Sequence, residues 1–156
     1  VIAREKILKR VLAPVLDFYD VILIDCQPSL GLLTVNALTA SDWVLVPLEC
    51  EYFALRGVAL LDDIIKKVQI NTNSELQLLG ILPTMFDRKT VHSREVLERI
   101  SDAFPGKVFD TTIARTVRFP ETTVAGEPIT SYASSSIGAA AYRRLAREII
   151  SMGGVR

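Results

Sequence analysis

The spacing of apolar positions divides the chain into predicted helices and strands. Apolar residues recur every three or four positions over residues 3–17, which predicts a helix that Pro14 should kink or shorten. An uninterrupted apolar run over residues 21–25 ends on Asp25 and predicts a central parallel strand that is covered on both faces. The same patterns predict further helices over residues 32–39, 54–68, 92–104 and 138–151, and further strands over residues 43–46, 76–85 and 108–113.

Helices and strands alternate in this order, and the connecting segments are long enough for right-handed β-α-β crossovers. We therefore predict an α/β fold with a mostly parallel sheet and helices on both faces. Residues 114–136 contain two prolines and a glycine and are predicted to be largely irregular. No repeat or change in composition divides the chain, so residues 1–156 are predicted to form a single domain.

Composition and charge narrow the class of protein. Hydrophobic residues make up 49% of the chain, which is typical of a folded domain. No apolar run approaches the ~20 residues that span a bilayer, and no signal peptide is recognisable. The 18 basic and 18 acidic residues balance, so nucleic acid could be bound only through a local patch. Cys26 and Cys50 are interpreted as reduced thiols of a cytoplasmic protein.

Asp25 is the first candidate for chemistry. It stands at the carboxyl end of a predicted buried strand, where open α/β sheets place their ligands. Mg²⁺ takes few carboxylates and keeps several waters, so one acid at this position is what the second motif of a nucleotide-binding ATPase, Walker B, requires. Many strands of α/β proteins end in Asp, however, and from this residue alone a purely structural role remains an equal alternative.

A longer stretch carries a resemblance. Residues 19–57, YDVILIDCQPSLGLLTVNALTASDWVLVPLECEYFALRG, closely resemble the ParA family of partition ATPases, relatives of MinD. The later segments TVAGEPI and GAAAYRRLAREI also resemble the C-terminal part of that family. The resemblance extends in order over nearly the whole chain. It implies a P-loop NTPase-like fold, incomplete at its N-terminus, that uses ATP and Mg²⁺.

The resemblance also implies roles for the segment after the strand. Asp25 would hold Mg²⁺, directly or through water, and residues 26–33 would form a switch that senses the γ-phosphate. The family has two prolines after the acid, and here Gln27 replaces the first. Because proline fixes φ and lacks an N–H donor, Gln27 adds flexibility and an amide. The candidate Mg²⁺ and switch residues are Asp25, Cys26, Gln27, Pro28, Ser29 and Gly31.

Loops that follow the other strands are implied to lie near the nucleotide. The family uses two of them to hold the adenine base and the dimer partner. Each candidate has a structural alternative: the segment containing Glu51 could supply core packing and a helix-start acid, Met85 could be a core residue, and Asp87 could form a turn or pair with a neighbouring base. The candidates are Pro47, Glu51, Met85, Asp87 and Arg115.

DNA and protein partners are implied in the same way. ATP-bound dimers of the family bind DNA without sequence preference, for which basic residues near phosphates suffice. Ordinary surface arginines remain an equal alternative. The family also works with a ParB-like centromere-binding protein, and a nucleoid-associated cytoplasmic location is implied. The C-terminus lacks an amphipathic basic helix, so no membrane partner is predicted. The DNA-binding candidates are Arg115, Arg118, Arg143, Arg144 and Arg147.

The phosphate-binding motif G-x-x-x-x-G-K-[ST] does not occur in these residues. We therefore expect that this chain does not hydrolyse ATP unaided, and that exposed apolar surface makes it self-associate. The alternative function is a non-catalytic α/β interaction module derived from the same fold. A third alternative, a response-regulator-type domain, is ranked last because the acids expected after its first strand are missing.

Overall fold

The structure, a computed structural model, describes residues 3–27, 29, 31–51, 54–87 and 89–153, with only the backbone described for residues 54 and 55. The chain divides into two compact units. The first contains the described residues of 1–44 and 56–79, and the second contains those of 45–55 and 80–153.

The elements follow the predicted alternation of helices and strands, which confirms the α/β class. Strands β1 and β2 are hydrogen-bonded neighbours. They run parallel, because Gln77 N donates to Asp42 O (3.0 Å) where the strands begin and Cys50 N donates to Thr84 O (3.4 Å) where they end. The elements are α1 (Ile7–Leu12), α2 (Leu32–Ala40), β1 (Trp43–Glu49), α3 (Ala54–Asn71), β2 (Gln77–Thr84), α4 (Val91–Ala103), α5 (Arg118–Ala125), α6 (Ile129–Tyr132) and α7 (Ile137–Ser151).

The first predicted helix is shorter than its apolar pattern. Helix α1 ends at Leu12, and 3₁₀ segments lie on either side of it at Arg4–Lys6 and Ala13–Phe18. Pro14 lies in the first turn of the second 3₁₀ segment, where its missing N–H is tolerated. The expectation that Pro14 shortens the helix is confirmed.

The prediction that residues 21–25 form a buried strand is wrong for the described structure. These residues have no regular secondary structure, and Leu23 is 90% exposed and Val21 46% exposed. A central strand needs a hydrogen-bonded neighbour on each side, and among the described residues β1 pairs with β2 rather than with this segment. An uninterrupted apolar run indicates that a segment favours burial but does not supply the elements that cover it.

Helices α2 and α3 form the core of the first unit. The buried centre of this core consists of Leu38, Ile65, Val68 and Leu76. Of the residues packed against this centre, Leu61 and Ile64 come from α3, at the helical spacing that its sequence pattern predicted. The partly buried residues packed against the centre are Val35, Val44, Leu61, Ile64 and Leu78.

In the second unit, β2 has a parallel neighbour on its other side. The predicted fourth strand is reduced to two isolated parallel bridges, Ile81 with Val108 and Phe86 with Ala114. At the first bridge the chains approach closely, because a Cβ on Gly80 would lie 2.7 Å from Cε2 of Phe109. This end of β2 therefore lies between β1 and residues 108–114.

The prediction that residues 114–136 are irregular is wrong, since α5 and α6 lie there. Pro120 falls in the first turn of α5, where proline is tolerated, and Gly126 ends the helix with φ 68°. Phe119 packs edge-to-face against Tyr142 of α7, with ring centroids 5.9 Å apart. The proline and glycine that suggested a loop are thus helix start and stop signals.

Candidate functional site

The loop after residues 21–25 is tied to the first turn of α2. The hydroxyl of Thr34 donates to the carbonyl oxygen of Ser29, and Ser29 N donates to Gln27 O at 2.7 Å. Gly31 is the N-cap residue of α2 in an extended conformation. Pro28 lies outside the described residues. The described part of the predicted switch is therefore anchored to α2 through a buried threonine.

Asp25 and Cys26 are both exposed at the start of this loop. Partial burial raises the pKa of the Cys26 thiol above its ordinary value, and the charge of Asp25 raises it further. Cys26 is therefore protonated at neutral pH rather than a reactive thiolate. Among the described residues, no group of three or more His, Cys, Asp or Glu side chains could hold a metal ion.

Two polar residues of the predicted motif have structural roles. Asn36 Nδ2 donates to Arg4 O (2.9 Å) and its Oδ1 accepts from Leu8 N (3.1 Å), which fixes the N-terminal helical turns on α2. Thr39, fully buried, shares a hydrogen bond of 2.9 Å with the hydroxyl of Thr72. Both residues thus satisfy polar groups inside the first unit.

The second unit contains a concave pocket of about 420 Å³ at the carboxyl end of β2. Met85, directly after the strand, has φ 50°, a left-handed conformation that is rare for a residue with a side chain. Arg115 directly follows the bridge residue Ala114. The structure thus brings Met85 and Arg115, two of the predicted loop residues, into one pocket. Its lining residues are Met85, Arg115, Thr116, Phe119, Pro120 and Thr123.

Arg115 has an ion-pair partner that the sequence patterns did not indicate. Its Nη2 donates to Oε1 of Glu49 at 3.2 Å. Glu49 is the last residue of β1, and only its position at a strand end could have suggested it. The neighbouring Cys50 is buried; burial raises the pKa of its thiol, and the charge of Glu49 raises it further.

The other predicted loop residues lie outside the lining of this pocket. Asp87 Oδ1 accepts from Lys89 N at 2.9 Å, the geometry of a side chain that stabilises a turn. Pro47 is exposed within β1. Glu51 is exposed, and its N–H donates to Glu49 O at 2.8 Å.

The candidate DNA-binding arginines differ in their contacts. Arg118 pairs with Glu121 at 2.9 Å, and this hydrogen bond and the carboxylate charge raise the pKa of the guanidinium. Arg143 donates to Ser134 O (2.7 Å) and to Thr130 O (3.1 Å), so it stabilises the turn before α7. Arg144 and Arg147 are exposed and three residues apart, which places them on one face of α7.

The side chain of Glu148 connects α7 to a neighbouring segment. Both carboxylate oxygens of Glu148 accept backbone N–H groups, from Asp110 at 2.7 Å and from Thr111 at 3.0 Å. Helix α7 is thereby joined to the segment that leads to Arg115.

Across the described residues, no helix is long and apolar enough to cross a bilayer.

Residues 1–78, half of the chain, match the AAA domain family. The chain is 58% identical over 154 residues to an uncharacterized protein of Mycobacterium tuberculosis, covering 99% of this chain and 48% of that protein. It is 48% identical over 153 residues to the chromosome-partitioning ATPase Soj of Treponema pallidum, covering 98% of this chain and 60% of Soj.

Among solved structures, the chain is similar to cobyrinic acid a,c-diamide synthase of Mycobacterium smegmatis with bound ATP analogue and magnesium. The TM-score is 0.80 and the identity 43%, over 94% of this chain and 54% of that one. The chain spans about half the length of the curated relatives it matches.

Proposed function

Because the chain belongs to the AAA domain family and is a ParA/MinD-like member of it, we propose that it is part of an ATPase that partitions chromosomes or plasmids. In this proposal the protein binds ATP with Mg²⁺, dimerises, and holds DNA without sequence preference. The observation that carries the proposal is the pocket in which Met85 and Arg115 meet at the carboxyl end of β2.

The pocket has the chemistry of a site for a nucleotide base. Met85, Phe119 and Pro120 supply apolar walls, and Thr116 and Thr123 supply hydroxyl groups that can donate and accept hydrogen bonds. Open α/β sheets bind ligands beyond the carboxyl ends of their strands, which is where β2 ends. We assign the adenine base of ATP to this pocket.

Asp25 fits the requirement for Mg²⁺. The ion is typically bound by one or two carboxylates together with water and phosphate oxygens, so a protein cage of several acids is not needed. Asp25 is an exposed carboxylate beside a loop that is anchored to α2 through Thr34. When bound, Mg²⁺ neutralises charge on the phosphates. In the proposal, residues 26–33 are the switch that senses the γ-phosphate, with Gln27 as the flexible position.

DNA binding is assigned to α7. Arg144 and Arg147 are exposed on one face, whereas Arg118 and Arg143 already have acceptors within the second unit. Contacts with phosphates alone give sequence-independent binding that falls steeply with salt. Dimerisation, nucleoid association and a ParB-like partner complete the proposed partition role, in which Soj of T. pallidum is the named relative.

The test is nucleotide binding by the chain and by one matched pair of variants. Met85 and Met152 are both in the second unit and almost equally exposed, 44% and 45%. Contact between a half-buried Met side chain and a base contributes about 1 kcal/mol, which corresponds to roughly fivefold in Kd. Met85→Ala should therefore weaken binding of adenosine and of Mg-ATP about fivefold, and Met152→Ala should leave both unchanged.

The outcomes separate the proposal from its alternative. Saturable adenosine binding that depends on Met85 supports a nucleotide site. Binding of neither adenosine nor Mg-ATP would contradict it and would favour the non-catalytic interaction module. Equal affinities for the chain and Met85→Ala would show that the base lies elsewhere. Calorimetric titration measures all three proteins directly.

A further inference from the structure

The ion pair between Glu49 and Arg115 spans the end of a strand. β2 lies between β1 and residues 108–114, and the pair joins the residue that ends β1 to the residue that follows Ala114. Met85, which directly follows β2 and has a left-handed conformation, lies between them in the order of the sheet. The pair thus crosses over the carboxyl end of the central strand, at the pocket.

The backbone on both sides of this ion pair is held in place. Cys50 N donates to Thr84 O at 3.4 Å, which fixes the end of β1 against β2. Phe86 N donates to Ile113 O at 3.1 Å, which fixes the segment that leads to Arg115. Glu49 and Arg115 therefore approach each other from anchored main chain.

Charge is unevenly distributed around the pocket. Arg115 is the one charged residue among the described residues that line it. The net charge at the pocket therefore depends on whether the guanidinium is paired. With Glu49 the charge is balanced, and without Glu49 a single positive charge would face the ligand. In the pair, the Arg115 side chain is 71% exposed.

We infer that Glu49 is a specificity-determining residue of this pocket. By pairing Arg115, it keeps the pocket for an uncharged, flat ligand group and disfavours an anion such as a phosphate. Glu49 acts through Arg115 and is a positioning residue rather than a ligand-contacting one. The identification of the uncharged group with a nucleotide base rests on the proposed function, whereas the charge preference does not.

The first measurement is the affinity for two probes, tripolyphosphate and adenosine, each titrated separately. Removing the charge of Glu49 removes its repulsion of an anion bound at Arg115. Two unit charges in contact in water interact by roughly 1 kcal/mol, which is about fivefold in an equilibrium constant. Glu49→Gln should therefore bind tripolyphosphate about fivefold more tightly than the unchanged chain. The gain should shrink at about 1 M salt, where the Debye length falls to about 3 Å.

Further variants test whether the gain in affinity depends on Arg115 and on the charge of Glu49. Glu49→Gln combined with Arg115→Gln should lose the gain, because the guanidinium is then absent. Glu49→Asp, which keeps the charge, should restore discrimination against tripolyphosphate. Asp62→Asn is the matched control: it removes the acid of the Lys66–Asp62 pair (2.6 Å) in the first unit and should leave both affinities unchanged.

Each outcome decides one of the two proposals. If Glu49→Gln gains no affinity for tripolyphosphate, or keeps the gain when Arg115 is also replaced, the role of Glu49 is refuted. If the unchanged chain does not bind adenosine but Glu49→Gln gains Arg115-dependent tripolyphosphate binding, the role of Glu49 is supported and the proposed nucleotide function fails. Circular dichroism of every variant confirms that these changes in affinity come from folded protein.

Discussion

Glu148 joins α7 to the segment that carries Arg115, and replacing it with glutamine tests that link. Its carboxylate accepts the N–H groups of Asp110 and Thr111, at 2.7 and 3.0 Å. Glutamine keeps one acceptor oxygen and turns the other into a donor that faces an N–H. One of the two bonds is therefore lost and the other becomes a bond to a neutral group.

The magnitude follows from these two changes. A hydrogen bond to a charged group contributes ~1.5–3 kcal/mol and a neutral one about 1 kcal/mol. Thr111 is buried, so water does not readily replace a lost partner, whereas Asp110 is exposed and can be rehydrated. We expect Glu148→Gln to lower the free energy of unfolding by about 2 kcal/mol, which for 156 residues is about 4–8 °C in Tm.

The assay is thermal and urea unfolding followed by circular dichroism. Glu98→Gln on α4 makes the same change at an exposed helical position and should shift the free energy of unfolding by less than about 0.5 kcal/mol. If Glu148→Gln destabilises the protein no more than Glu98→Gln does, the two backbone bonds do not hold α7 in place and the reasoning is wrong.

Two further predictions concern glycine packing and the thiols. Gly80→Ala should destabilise the protein by about 1–3 kcal/mol, because the added Cβ would lie 2.7 Å from the Phe109 side chain. Gly57→Ala in α3, where nothing lies within 4 Å of the added Cβ, should stabilise it by about 0.5–1 kcal/mol. If urea unfolding ranks the two variants in the opposite order, the close packing at Gly80 is contradicted. Because the pKa values of Cys26 and Cys50 are raised in the folded chain, stability should fall as pH rises above the unfolded thiol value of about 8.5, and Cys26 should react with iodoacetamide more slowly than in urea. Equal alkylation rates in the folded and unfolded chain would refute the shift at Cys26.

The sequence predicted those parts of the fold whose pattern is local. Helices α2, α3, α4 and α7 and both strands of the sheet lie where apolar spacing placed them. Helix α5 was missed because Pro120 and Gly126 were interpreted as loop residues, although proline in the first turn and glycine after the last are helix signals. The prediction that residues 21–25 are buried was wrong, because burial depends on neighbouring elements that an apolar run by itself does not specify.

The residues of the candidate site were likewise predicted only in part. The rule that ligands lie at the carboxyl ends of parallel strands placed Met85 and Arg115 together, and the structure brings both into one pocket. Glu49 was missed because its partner lies 66 residues away in sequence. Asn36 and Thr39 belong to the motif that suggested the family, yet their hydrogen bonds are structural. Motif residues alone therefore do not distinguish ligand contacts from packing.

The most direct test of the central claim uses the two methionines of the chain. Labelling their methyl groups with ¹³C gives one NMR signal for Met85 and one for Met152, and the Met152→Ala variant assigns them. If the pocket holds a nucleotide base, adenosine shifts the Met85 signal through the ring current of the base and leaves the Met152 signal in place. A Met85 signal that does not move at saturating adenosine, or equal shifts of both signals, would contradict the account.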